Sequence, residues 1–461
     1  MGTPENTQRQ QLLPKQAQHS TGSPTTSSPL IRTLRVHVLR LLNWVVPLAL
    51  FLGVDFCFKK VFEAASIEFP SSLFVMFCIF AVLMVLDCVK PVAALALVKF
   101  FDPGVMFINR WLPLFYVPYL VVLPISIRDI PPSSAIKIGC IIVGGWVATL
   151  CVSGFTALAV RKAVKTEMID PQPMEKPPPF SSIEFWSWTV VFLISFIVAL
   201  LFPTALGTGA RTCFLFYLAS TILGYIVGSG LPSKVKMIFH PVIFSLLLPN
   251  IVACVFGLLS KEGYDAALGF YLTESSSDPG AGDILLEFLG SVILSFAFSM
   301  FKQRTLMKRH AAEIFTSVIV SALFSLYSTA VVGRLVALDP SLTVSILPRC
   351  ITVALALNIV SLFEGANLAL TAAVVVATGL IGANFVQSAL NILRLRDPIA
   401  RGIAAASSSH GLATAALSAE EPEALPFSAI AYALTGIFGS LFCSIPAARQ
   451  SLLAIAGWNN S

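Results

Sequence analysis

Two ionisable side chains lie in the middle of long apolar stretches of this 461-residue chain. Arg349 interrupts SLTVSILPRCITVALALNIV, and His410 follows three serines in IARGIAAASSSHGLATAALSA. An Arg inside an apolar segment is costly unless it is paired or faces a polar cavity, which favours a functional role. Its planar guanidinium suits bidentate binding of a carboxylate. Because imidazole titrates near neutral pH, His410 is a candidate proton carrier.

A structural role competes with the functional one at each of these positions. Arg349 could form an internal ion pair with Glu364, or reach the membrane interface with its long side chain. His410 could be a neutral side chain that is hydrogen-bonded to a hydroxyl in a packed core. The sequence leaves these alternatives open.

Further polar groups lie inside or beside the interrupted segments. Ser and Thr in membrane helices commonly bond their own backbone or a neighbouring helix, so each residue alone is a weaker candidate for substrate contact. Glu364 is a second candidate for proton coupling. Besides Arg349 and His410, the candidates for substrate binding are Thr352, Asn358, Asn384, Ser407, Ser408, Ser409 and Thr414. His310, in KQRTLMKRHAAE, is assigned to a solvated basic loop.

The elements that position these residues are predicted to be membrane helices. Hydrophobic residues make up 56% of the chain and charged ones 12%, with a mean hydropathy of +0.84, whereas soluble domains carry about 25% charged residues. This composition excludes an ordinary soluble enzyme. A crossing needs about 20 apolar residues, and about a dozen segments are predicted: 41–58, 71–89, 111–125 (short and Pro-broken), 135–160, 186–202, 212–231, 241–259, 284–301, 312–338, 343–361, 369–391, 399–417 and 428–446.

The charges of the loops predict how these segments are threaded. Lys and Arg clusters follow even numbers of crossings, and the acidic loop 261–283 follows an odd number. If 343–361 crossed fully, the loop that carries Arg394 and Arg401 would lie opposite the other basic loops. Since Lys and Arg accumulate on one side of a membrane, the pattern favours a re-entrant segment. The fold class is therefore an all-α polytopic membrane protein with broken or re-entrant helices near its C-terminus.

Two polar stretches divide the chain. Residues 1–35 are rich in Gln, Ser, Thr and Pro, which is typical of a disordered tail or a transit peptide. A charged, Pro-rich linker at 161–182 separates a membrane module at 36–160 from a larger one at 183–457. Dinucleotide-binding, P-loop and HExxH patterns are absent from the sequence, and so is zinc-ligand spacing. No enzyme activity, cofactor, metal or nucleic-acid partner is predicted.

Long segments of the chain resemble known membrane proteins. The stretches LPRCITVALALNIVSLFEGANLALTAAVVVATGLIGANFVQ and RDPIARGIAAASSSHGLATAALSAEEPEALPFSAIAYALTGIFGSL resemble the LrgB (CidB) family. The first module, with FPSSLFVMFCIFAVLMVLD, resembles the smaller LrgA partner. Over roughly residues 36–457 the chain is similar to the LrgA–LrgB (CidA/CidB) fusion family of plants.

The resemblance implies a secondary transporter in the plastid inner envelope that exports glycolate and imports glycerate in photorespiration, with proton coupling. Another organelle or the plasma membrane is the alternative location. Bacterial relatives often have Lys-Ser where this chain has Arg349 and Cys350, so the cation carries over and the hydroxyl does not. A homodimer in the bilayer, in which the broken-helix unit moves against a scaffold, is a further expectation. The alternatives are a holin-like pore or modulator, and a carrier of pyruvate or lactate.

Overall fold

The computed structural model describes residues 29–67, 69–167, 178–232, 235–236 and 239–458, and the side chains among them except those of 29–41 and 418–420. Within these residues the structure is helical and has no strand, which confirms the all-α class. Most of the N-terminal segment predicted at 1–35, and part of the linker predicted at 161–182, lie outside the described residues. Residues 44–458 belong to one compact unit.

Up to residue 164 the chain contains long helices and one irregular segment of short helical turns. Pro113, Pro118 and Pro124 divide residues 112–126 into short turns, because proline lacks the N–H that a continuous helix needs. The sequence predicts this Pro-broken segment correctly. The elements are α1 Pro29–Ala64, α2 Ser71–Val89, α3 Pro91–Trp111, a 3₁₀ helix Leu112–Phe115, α4 Val117–Val121, α5 Leu123–Ser126 and α6 Pro132–Val164.

From residue 182 onward the chain adds further long helices and several short ones. Side chains cap their starts: Asn367 Oδ1 accepts from Leu370 N, and Asp397 Oδ1 from Ala400 N. Ten helical segments in the described part of the chain are long and apolar enough to span a membrane. The helices are α7 Ser182–Leu201, α8 Gly209–Gly230, α9 Pro241–Ser260, α10 Tyr264–Gly269, α11 Ala281–Lys302, α12 Arg304–Arg309, α13 Ala311–Leu335, α14 Pro340–Ser345, α15 Val353–Val360, α16 Leu368–Ile392, α17 Pro398–Glu420, α18 Leu425–Ser444 and α19 Pro446–Ala456.

Helix α6 links the two ends of the bundle. Near its start, Lys137 Nζ donates to Ala337 O at 2.8 Å; near its end, Arg161 Nε lies 3.2 Å from Asp397 Oδ2. With 33 residues, α6 is about 50 Å long, more than the thickness of the hydrocarbon core. We call the end that holds Arg161 the basic end, and the end that holds Ala337 the acidic end.

Hairpin 1 comprises α14, the turn 346–352 and α15, and it enters from the acidic end. The chain arrives there at Ala337, and it leaves at Asn367, whose Nδ2 donates to Ser126 O at 3.0 Å, just before α6 begins. Both half-helices have eight residues or fewer, too short to cross. The expected re-entrant path of 343–361 is confirmed.

Hairpin 2 is α17, which folds back on itself. Ser409 (φ −145°, ψ 17°) and His410 (φ 46°, ψ −143°) leave helical geometry and separate the halves 398–408 and 411–420. Arg401 Nε lies 2.6 Å from Glu421 Oε2, whereas a straight helix would hold these residues about 30 Å apart along its axis. Residues 399–417, expected to cross, therefore return to the basic end.

Opposed hairpins predict a labelling pattern. Single cysteines replacing the exposed Arg396 and Glu423, which flank hairpin 2, should react with an impermeant maleimide from the same side. A cysteine replacing the exposed Glu364 should react only from the other side. Intact and permeabilised cells distinguish the sides, and the parent protein, with its nine native cysteines, is the control. Labelling of residues 423 and 364 from the same side would contradict hairpin 2.

Candidate functional site

The tips of the two hairpins meet on one turn of α6. Thr149 Oγ1 accepts a hydrogen bond from Arg349 Nη2 in hairpin 1, at 3.0 Å. Trp146 Nε1 donates to Ser409 Oγ in hairpin 2, at 2.6 Å. Residues three apart on a helix share a face, so α6 holds both tips at one level. The sequence identifies Arg349 and His410 as two separate candidates. The structure shows that the hairpins that carry them meet at α6.

Arg349 is fully buried and its hydrogen-bond partners are all neutral. Nε donates to Thr329 Oγ1 at 3.0 Å, Nη2 to Thr149 Oγ1, and Nη1 to Cys350 Sγ at 2.9 Å. Among the described side chains, no carboxylate forms an ion pair with it. A guanidinium has five N–H groups, so these bonds leave two, one on each Nη.

Gly145 allows the guanidinium to lie against the backbone of α6. A Cβ at this position would be 2.5 Å from Arg349 Cζ and 2.8 Å from Nε, closer than van der Waals contact. Only glycine therefore fits without displacing the cation. On the preceding residue, Gly144, a Cβ would meet nothing within 4 Å.

His410 forms the turn of hairpin 2 in a strained conformation. Its φ of 46° is positive, which for a residue other than glycine costs about 1–3 kcal/mol. The ring lies against Gly379, where a Cβ would be 2.6 Å from Cε1, and Nε2 donates to Val375 O at 3.0 Å. Contacts with α16 therefore hold the imidazole at the tip.

The serines before His410 bond neighbouring hydroxyls. Ser407 Oγ lies 3.3 Å from Thr435 Oγ1, and Ser408 Oγ lies 3.2 Å from Ser409 Oγ. In the returning half, Thr414 Oγ1 lies 2.8 Å from Ser428 Oγ. The hydroxyls join hairpin 2 to α18, and Ser407, Ser408 and Ser409 are fully buried.

Four predicted site residues take no part in the hydrogen bonds that join the tips to α6. Glu364 is exposed after hairpin 1 and is not among the partners of Arg349. Half-buried Asn384 donates to Leu380 O in its own helix, at 2.8 Å. Thr352 is buried at the end of the turn of hairpin 1, and Asn358 is half-buried within α15.

Several residues at the site escape sequence reasoning. Gly145, Trp146, Thr149 and Thr329 belong to helices that show no interruption in sequence. His310 was expected in a solvated loop, but it is fully buried, with Nδ1 3.4 Å from Glu313 Oε1 and its ring against Phe427. The neighbouring Lys308 and Arg309 favour a solvent-exposed loop. His310, however, lies directly before the first residue of α13, where its side chain is buried.

His240 caps helix α9 as a neutral base. Its Nδ1 accepts from Val242 N at 3.3 Å. Burial, together with the electrostatic effect of His410, lowers the pKa of His240 to about 4. It is therefore uncharged at neutral pH, as the cap requires. Across the described residues, no three His, Cys, Asp or Glu side chains cluster in a way that could hold a metal ion.

Comparison with known proteins places this site within a family. The LrgB-like family matches residues 221–448, which include both hairpins. Plastidal glycolate/glycerate translocator 1, chloroplastic, of Arabidopsis thaliana is 64% identical over 457 residues, covering 99% of this chain and 88% of that protein.

Bacterial proteins match shorter parts of the chain. Uncharacterized protein YwbG of Bacillus subtilis is 30% identical over 29% of this chain and 59% of its own length. Antiholin-like protein LrgB of Bacillus cereus is 27% identical over 37% of this chain and 71% of its own. No solved structure matches the chain. The length and identity of the Arabidopsis match, together with the family match over the hairpins, show that this chain belongs to the LrgB-like family.

Proposed function

We propose that this protein is a carrier that exchanges glycolate for glycerate across the plastid envelope, and that Arg349 binds the carboxylate of either substrate. The single observation that carries the binding site is the buried guanidinium of Arg349 without a carboxylate partner among the described residues. The name of the Arabidopsis relative supports the substrates and the compartment.

A carboxylate substrate would supply what Arg349 lacks. An uncompensated buried charge is unfavourable by several kcal/mol, and hydroxyl and thiol partners offset only part of this. The two remaining N–H groups match the two oxygens of a carboxylate, which binds a guanidinium in a fork. Substrate binding would therefore neutralise the cation and complete its hydrogen bonding.

The hydroxyl-rich tip of hairpin 2 supports a 2-hydroxy acid as substrate. Ser408 and Ser409 bring hydroxyls close to the level of Arg349 through the contact of Ser409 with Trp146. Hydroxyls both donate and accept, as the 2-hydroxyl of glycolate and glycerate also does. We assign these serines to that group and His410 to the coupled proton. A pyruvate carrier would differ in these contacts, because pyruvate has a ketone in place of the 2-hydroxyl. Lactate has the 2-hydroxyl and differs from glycolate by one methyl group.

The closed tips favour a carrier over a standing pore. Arg349 and Ser407–Ser409 are fully buried, so a solute reaches them only when a hairpin withdraws. Such movement against a scaffold belongs to the proposal, as do the module boundaries at 36–160 and 183–457 and a homodimeric assembly.

Exchange in proteoliposomes tests the function. Labelled glycolate should enter vesicles that contain glycerate with saturable kinetics, faster than it enters empty vesicles. Arg349→Ala should lower the rate at least 100-fold, since it removes the carboxylate partner, and Arg349→Lys should retain part of it. Linear, unselective uptake that Arg349→Ala leaves unchanged would support the holin-like pore instead.

Gly145→Ala tests the position of the guanidinium. The added methyl would displace Arg349 from α6, so the KM for glycolate should rise at least tenfold. Gly144→Ala, on the neighbouring residue where a methyl meets open space, is the matched control and should stay within twofold of the parent. Equal KM values for the two variants would remove Gly145 from the site.

A further inference from the structure

Two rows of residues connect the tips with the basic end. On α6 the row is Thr149, Ser153, Ala157 and Arg161; on α13 it is Glu313, Ser317, Ser321, Ser325 and Thr329. The rows meet at both ends. Thr149 and Thr329 both bind Arg349, and Arg161 Nη1 lies 3.5 Å from Glu313 Oε1. Residues four apart form the ridges by which helices pack, so the intervening serines lie between these meeting points.

These serines are buried without hydrogen-bond partners. Ser153, Ser317 and Ser321 are 0% exposed and Ser325 is 3% exposed, and none of their Oγ atoms is bonded. A buried hydroxyl without a partner is unfavourable by about 1–3 kcal/mol. Serines in membrane helices usually bond their own backbone, as Thr329 does with Ser325 O at 2.7 Å. The serines of the rows do not.

The basic end of the rows holds a second set of unpartnered buried atoms. Glu313 is fully buried; Oε1 faces Arg161 and His310, but Oε2 is unbonded. Nε2 of fully buried His310 is also unbonded. Beyond them, Arg161 contacts Asp397 of hairpin 2. A carboxylate and an imidazole are both groups that can bind a proton and release it again.

The spacing of the serines suits water. On α13 successive hydroxyl-bearing residues lie about 6 Å apart along the helix axis, and a water molecule with hydrogen bonds of about 2.8 Å to each side spans that gap. On α6 the same spacing joins only Thr149 and Ser153, because Ala157 has no hydroxyl. One water between each pair of hydroxyls would satisfy them. The α13 row would then extend about 24 Å from Glu313 to Thr329.

We propose that the α13 row, with Ser153 and Thr149 of α6 beside its inner part, forms a water-bridged proton path between Glu313 at the basic end and the tips of the hairpins. This inference rests on the proposed function and names its coupling route. A proton binds the Glu313 carboxylate, and each oxygen then gains a proton from one side as it releases one to the next. At the tips the proton's acceptor is the imidazole of His410 in hairpin 2, whose neighbour Ser409 contacts α6. Charged or titratable groups facing its ends are Arg161, His310, Arg349 and His240.

Valine and threonine at position 321 test the path, because they have the same shape and only threonine has a hydroxyl. In proteoliposomes, Ser321→Val should lower glycolate uptake driven by a pH gradient at least tenfold, and Ser321→Thr should stay within twofold. Both variants should keep exchange of glycolate for glycerate at equal pH within twofold. Ser291→Val, at a buried and unbonded serine of α11 outside the rows, should show no selective loss.

Equal gradient-driven uptake by the valine and threonine variants would overturn the path. If Ser321→Val does not fold, Glu313→Gln replaces it: a tenfold loss of gradient-driven uptake with exchange retained supports the path, and unchanged uptake overturns it. A parent protein that exchanges substrates but ignores the pH gradient would remove the path alone. A parent without exchange would refute the proposed function itself.

Discussion

An unpaired guanidinium buried among neutral groups is the constraint on which the rest of the site depends. Arg349 can occupy this position because Gly145 lets it approach the α6 backbone, and because Thr149 of α6 and Thr329 of α13 both accept hydrogen bonds from it. A continuous helix through residue 349 would point its side chain along one face. The irregular turn of hairpin 1 instead places the guanidinium at the tip, where groups from three elements surround it.

Helices α1 to α6, which precede the Pro-rich linker, supply part of the site. Helix α6 provides three residues that contact the tips. Helices α1 and α2 are joined by a buried hydrogen bond, and α1 and α11 by an exposed ion pair. Asp55, which is 2% exposed, accepts from Ser72 Oγ at 2.5 Å and pairs with Lys59 at 3.1 Å. Lys59 also pairs with Glu287 of α11. The helices before and after the Pro-rich linker therefore pack against each other, and residues 44–458 lie in one compact unit.

The sequence identifies the polar residues that are unfavourable in an apolar segment, but not the residues that contact and stabilise them. Arg349 and His410 stand out because a charge or an imidazole in an apolar segment needs a reason. Gly145 and Thr149 are ordinary residues of an apolar helix, and their importance arises only when a segment 200 positions away packs against them. Loop charges predict the return of hairpin 1. They are silent on hairpin 2, because the pairing of Arg401 with Glu421 depends on the turn at His410.

The two hairpins are anchored at opposite ends of the bundle, and this arrangement bears on the leakage of ions through the site. Hairpin 1 is anchored at the acidic end and hairpin 2 at the basic end. In the proposed carrier, withdrawal of one hairpin would open the site to one compartment while the other hairpin still sealed it. A continuous channel would form only if both withdrew at once, and for independent movements the product of two small opening probabilities is smaller than either. Such a carrier would pass a solute and still hold an ion gradient.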